Sequence, residues 1–156
     1  MKRLFLPLVT HISAAFIGFA AGIYLLPILT EPEGPSASEM QKATNQALYR
    51  GEFKRDLAGS DFLHWGEGTV SIGREYISLD GSLAPGPDYR LYLSPAFVQT
   101  EAEVEAIKSD MVQVGEVKTF SDFVIPVPSS IDPSNYKAVV IWCEAFEEFI
   151  TAATYR

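Results

Sequence analysis

A chain of 156 residues with 12 Lys and Arg against 20 Asp and Glu carries a formal charge of −8, and its single cysteine has no intramolecular disulfide partner. An acidic surface repels polyanions, which excludes nucleic acid and anionic membrane surfaces as partners. Cys-x-x-Cys, Cys-x-x-Cys-His, His-Glu-x-x-His, Gly-x-Ser-x-Gly and a phosphate-binding glycine loop are all absent from the sequence, which disfavours standard hydrolases and nucleotide enzymes.

Leu4 to Leu29 are almost uninterrupted apolar residues, more than the roughly 20 that a helix needs to cross a bilayer. Lys2 and Arg3 precede the run and Glu31 and Glu33 follow it, so the positive-inside rule predicts a cytoplasmic N-terminus and Thr30 onward outside, in the periplasm or at the cell surface. Residues 1–29 are thus expected to be an uncleaved anchor. A cleaved signal peptide, with Ala20 and Gly22 as the small residues of its site, competes with this, but the apolar run continues through Ile23-Tyr24-Leu25-Leu26. Ala14, Gly18 and Gly22 share one helix face and offer a seam for a homodimer. His11 falls near the cytoplasmic end, in the interface. The exported part then sets ten basic residues against twenty acidic ones, a formal charge of −10.

Residues 30–50 read as a spacer and a short helix. Thr30 to Ser38 is rich in Pro, Gly, Ser and Glu. Ser36 with Glu39 forms a capping-box pattern, and Met40, Ala43 and Leu48 recur at near-helical spacing, so a helix is predicted over Ser38 to Tyr49. From Gly51 the period becomes two: Val70 and Ile72, Ile77 and Leu79, then Tyr89, Leu91 and Leu93 alternate with polar neighbours. Asp80-Gly81 and Ala84 to Asp88 read as the turns between these strands. Thr100 is an N-cap candidate for a second helix with Val104, Ile107 and Met111 facing inward, covering one edge of the sheet. Strands are predicted for Val112 to Lys118, Phe123 to Val127, Ala138 to Glu144 and Phe149 to Tyr155. Residues 51–156 should therefore be mainly β, an antiparallel β-sandwich or partly closed barrel with one or two short helices.

The run Val139 to Cys143 is apolar at every position, as in a central strand covered on both faces. Period two places Val139, Ile141 and Cys143 on one face and Val140, Trp142 and Glu144 on the other. A thiol reacts as its thiolate and needs a nearby cation or helix N-terminus, whereas Glu144, Glu147 and Glu148 would raise its pKa. Inert packing and redox chemistry both remain open for Cys143 at this point. Asp132-Pro133-Ser134-Asn135 reads as a turn and not a calcium loop, and Asp88 as a residue ordering its own turn.

Gly51-Glu52-Phe53, His64 followed by Gly68-Thr69-Val70-Ser71-Ile72, Gly86-Pro87-Asp88 leading to Leu91-Tyr92-Leu93-Ser94, Val114-Gly115-Glu116-Val117-Lys118 and Val139 to Phe146 together resemble the DM-thirteen domain. The resemblance runs from about Gly51 to the C-terminus. It implies an electron-transfer domain whose cysteine, at the position of Cys143, acts as a bare redox thiol or as a ligand to a prosthetic group such as haem. A thiolate-bound haem could take a second ligand from His64, Met40 or Met111, with His64 on the matched sequence. One departure is Thr119 to Phe123, where the family tends to carry Gly-x-Gln-x-Tyr; Phe123 keeps the aromatic ring without the hydroxyl. Two functions follow: a membrane-anchored electron-transfer module acting through Cys143, or a non-catalytic binding domain with Cys143 as a buried structural residue. An electron-transfer or binding module fits the chain better than a stand-alone enzyme, and the sequence leaves enzymatic activity open.

Overall fold

The computed structural model describes residues 2–156, with side chains from Leu6 onward. Helix α1 spans Lys2–Leu29. Within it Leu6–Leu29, 24 residues with none of its apolar window buried, is about 36 Å long and exceeds the roughly 30 Å of a hydrocarbon core. By length and composition it suits a membrane span or a signal sequence alike. The side chains of Lys2 and Arg3, on which the predicted orientation rests, lie outside the described residues. His11 lies inside the apolar segment, its Nδ1 2.6 Å from the Pro7 carbonyl oxygen.

Helix α2 (Ala37–Asn45) opens on the predicted capping box: Ser36 Oγ accepts from the Glu39 N–H, and the Glu39 carboxylate accepts from the Ser36 N–H at 2.8 Å. It is shorter than expected. The chain leaves the helix at Gln46 and enters strand β1 (Ala47–Phe53), which turns Leu48 outward at 54 % exposure and packs Tyr49 against Tyr155. An apolar spacing of three to five residues had fitted a helix only because one strand residue fell on the helical period.

Seven further strands follow: β2 (Gly66–Gly73), β3 (Tyr76–Leu83), β4 (Tyr89–Ser94), β5 (Val112–Val117), β6 (Phe123–Pro126), β7 (Ala138–Cys143) and β8 (Glu148–Thr154). They form two antiparallel sheets in the orders β1-β2-β3-β6 and β5-β4-β7-β8. The sheets face each other as a sandwich with no closed barrel. Between them lie Val70, Ile72, Ile77 and Leu79 from the first sheet and Leu91, Val139, Ile141 and Ile150 from the second, all fully buried. Each such side chain stabilises the fold by roughly 1.5–3 kcal/mol relative to leaving it in water.

Strand β7 is buried at every residue, as its sequence predicts. Its second face is covered by helix α3 (Glu101–Ile107), which Thr100 caps through its side-chain oxygen. That helix lies against the edge strand β8 and reaches inward over β7. Val104 packs with Tyr92, Val140, Trp142, Phe149 and Ala152 on the outer face of the second sheet, because β4, β7 and β8 carry apolar residues on both faces and one set would otherwise meet water.

Asp80-Gly81 is not a turn: both residues lie within β3, and the connection to β2 is made by Arg74 and Glu75. Gly81 pairs with Gly68, whose φ is +120°, and a Cβ on Gly68 would sit 2.3 Å from the Asp80 carbonyl oxygen. The glycine marks a close approach of two strands. Gly68→Ala should therefore lower stability by about 1–3 kcal/mol, while Leu48→Ala should stay within about 0.5 kcal/mol; urea unfolding of both variants checks this.

Candidate functional site

Cys143 ends β7, opposite Tyr89 of β4 and Glu148 of β8. The strand alternation places it on the inter-sheet side with Val139 and Ile141, at 2 % exposure. Its thiol donates to the Pro87 carbonyl oxygen at 3.1 Å. Two connections meet over it: Ala84 to Asp88 between β3 and β4, and Glu144 to Glu147 between β7 and β8. They are tied together by the Glu144 N–H donating to the Asp88 carbonyl at 3.1 Å.

Each connection contains a non-glycine residue in the left-handed region, Asp88 at φ 54° and Glu147 at φ 55°, and no other non-glycine residue does so among the described residues. Such conformations cost of order 1–3 kcal/mol each and persist only where the surroundings impose them. Asp88 orders its turn as expected, its carboxylate pairing with Arg90.

Burial raises the Cys143 pKa, while the Phe146 and Ala145 N–H groups, directed at the sulfur, pull it down; Asp88 and Glu148 add to the rise, and the net direction is up. The acidic neighbours predicted to do this are only partly the right ones. Glu144 is turned to the opposite face of the sheet, where its carboxylate accepts from Lys108 at 2.8 Å and from the Tyr92 hydroxyl. The phenol of Tyr89, opposite the thiol in the ladder, is pushed well above its usual range by burial, with Cys143 contributing.

Beside this site lies an open groove of about 970 Å³ whose walls include Gly18, Gly22 and Leu26 of α1 and Pro87, Tyr89 and Phe146 of the sandwich. Gly18 and Gly22, predicted to form a helix-pairing seam with Ala14, line this groove, and a Cβ at either would meet open space. The segment between α1 and α2 is tied down as well: the Phe120 N–H donates to the Glu31 carboxylate at 2.7 Å.

The groove tests whether a thiolate-bound haem fits, and it does not. The Cys143 sulfur stands behind Pro87 and Tyr89, and no Cys, His or Met is among the groove's lining residues. His64 is engaged with Asp61, whose carboxylate accepts from the Leu63 and His64 N–H groups and lies 3.1 Å from His64 Nδ1. His64 and Cys143 share no hydrogen-bond partner. Met111 packs against the outer cluster, across the sheet from the sulfur, and Met40 sits on α2. Phe123, where the family tends to have a tyrosine, is a buried core residue.

What sequence reasoning missed is the group on the other side of β7, made of Tyr92, Lys108, Glu144 and Trp142. Tyr92 and Lys108 lie far apart in sequence, so no spacing could reveal their meeting. The only available signal was the alternation that puts Glu144 with Trp142 and away from Cys143.

Two outcomes follow for the thiol. Native Cys143 should react with a soluble thiol reagent at least about 100-fold more slowly than in the unfolded chain, because reaching it requires a local opening of a few kcal/mol. The unfolded chain releases the thiol and Tyr89 protons at lower pH than the folded one, so the stability they contribute is full below about pH 8.5 and is lost as pH rises through the raised folded values. Cys143→Ser should remove the thiol's share of that alkaline loss in urea unfolding.

No curated protein and no solved structure matches the chain. The family model described as "Electron transfer DM13" matches residues 56–155, from the β1–β2 connection to the end of β8 and including Cys143. A match over that share of its length establishes that the chain belongs to the electron-transfer DM13 family.

Proposed function

We propose that the chain is a membrane-anchored electron-transfer module, carried outside the cytoplasm by α1, whose redox group is Cys143. Membership of the family supports electron transfer in general. The observation that carries the finer reading is the cover over Cys143: the two connections with left-handed non-glycine residues both close over the only thiol in the chain. Strain of this kind gathers where a segment must open or hold a group in place. The Ala145 and Phe146 N–H groups are preset to favour a thiolate once burial is relieved. The thiol is therefore at rest under its cover and activated by lifting it. With one cysteine in the chain no internal disulfide can form, so each turnover moves one electron: the S–H proton goes to solvent, the electron to a one-electron acceptor, and a separate one-electron donor with a solvent proton restores the thiol.

A second reading, a binding domain with Cys143 as a structural residue, is favoured by the burial of the sulfur and its bond to Pro87. Loops such as Ala84 to Asp88 would then meet the partner.

The two readings separate in membranes containing the full chain. Cys143→Ser should lower electron delivery to a soluble one-electron acceptor by about tenfold or more, the effect of losing a group that takes part in the chemistry, with the melting transition retained. A folded Cys143→Ser chain that transfers electrons as the parent does would overturn the redox assignment and leave the binding reading.

A further inference from the structure

Across β7 from the thiol, Tyr92 and Trp142 lie side by side beneath one ammonium group. Lys108 Nζ stands 4.8 Å from the Trp142 ring centroid and 5.8 Å from that of Tyr92. Trp142 is 1 % exposed and its Nε1–H has no hydrogen-bond partner. Tyr92, 8 % exposed, donates its hydroxyl proton to Glu144 Oε1, with the Gln113 side-chain oxygen 3.3 Å away. Burial opposes ionisation of Glu144, but the hydrogen bonds from Lys108 and Tyr92 outweigh it and hold the carboxyl below its usual range, with Arg90 adding to this. The Tyr92 phenol is held protonated, by burial first and by Glu144 next. A neutral phenol bonded to a carboxylate is thus the resting state.

The two aromatic groups differ in what oxidation would leave behind. Removal of an electron from Trp142 leaves a radical cation close to Lys108, and its Nε1–H has no acceptor that would neutralise it. Removal of an electron from Tyr92 is accompanied by transfer of the hydroxyl proton along the bond already formed to Glu144.

We infer that Tyr92, with Glu144 as its proton acceptor, is a second redox group of this domain, oxidised by one electron in a proton-coupled step. The O–H bond of Tyr92 breaks and an O–H bond forms on Glu144. One electron passes to an outer-sphere one-electron oxidant, which is reduced by one unit, and Tyr92 becomes a neutral phenoxyl radical. Return of the electron from a one-electron reductant restores the phenol and the carboxylate. Lys108 is a positioning residue that keeps Glu144 ionised. The Lys108 and Glu144 side chains are 31 % and 29 % exposed, so this part of the sheet's outer face is open to a partner in solution.

The inference rests on the electron-transfer reading but not on Cys143. Full-length chain in detergent micelles is oxidised by a flash-generated ruthenium(III) polypyridyl complex, and the phenoxyl radical is followed by absorbance and electron paramagnetic resonance. The parent chain should give a rapidly formed phenoxyl component that Tyr92→Phe removes. Glu144→Gln should slow its formation by about 100-fold or more, the scale of a positioned proton acceptor, and Trp142→Phe should leave it in place. Identical radical yield and rate in the parent, Tyr92→Phe and Glu144→Gln, with all three folded, would overturn the assignment. Cys143→Ser should keep the signal. If the signal is present but membranes pass no electrons, the electron-transfer reading fails and takes the role of Tyr92 with it; if electrons pass without the signal, Tyr92 fails alone.

Discussion

A strand that is apolar on both faces and paired on both edges has one stable location, the middle of a sheet with a layer on each side. Strand β7 imposes that condition on everything around it. Its inner residues require the first sheet, and its outer residues Val140 and Trp142 require α3 and the turn that follows it. Its edges require β4 and β8. The acidic surface and the apolar N-terminal helix can then be arranged around a core whose position is already settled.

The same strand divides the chemistry. Adjacent residues of a strand point to opposite faces, so Cys143 and Trp142, one peptide bond apart, sit in separate environments. On the inner side a thiol is shielded from water under two connections, with burial opposing its ionisation and amide dipoles favouring it. On the outer side an ammonium, a carboxylate and a phenol share a partly wet face where charge is compensated. The sheet between them keeps the two electrostatic problems from interfering: Glu144, next to Cys143 in sequence, acts on Tyr92 and Lys108 instead.

Much of this could be read from the residues because the physical cause was local. The alternation in β4, the unbroken apolar run of β7, the Ser36 and Thr100 caps and the inward direction of Cys143 each follow from a local pattern or a short-range hydrogen bond. Other features depended on partners distant in the chain. Gly81 resembles a turn glycine, yet it is there because Gly68 approaches from the next strand. Leu48 fell on a helical spacing, but the helix had already ended at Asn45. The place of α3 could not be inferred without knowing that the second sheet needed a cover. His64 looked available as a ligand until Asp61 engaged it, and the grouping of Tyr92 with Lys108 exists only in the folded molecule.

The two left-handed residues over Cys143 have a kinetic consequence. The sulfur is attached to a strand locked by neighbours on both edges, so its position cannot fluctuate unless the whole sheet opens, whereas its cover consists of two turns joined by a single backbone hydrogen bond between Glu144 and Asp88. Backbone amides within β7 will exchange their hydrogens only through global opening, and the side chain at the end of that strand will become accessible through a much smaller excursion. One residue therefore reports on two timescales: its backbone measures the lifetime of the fold, and its sulfur measures the lifetime of the closed turns.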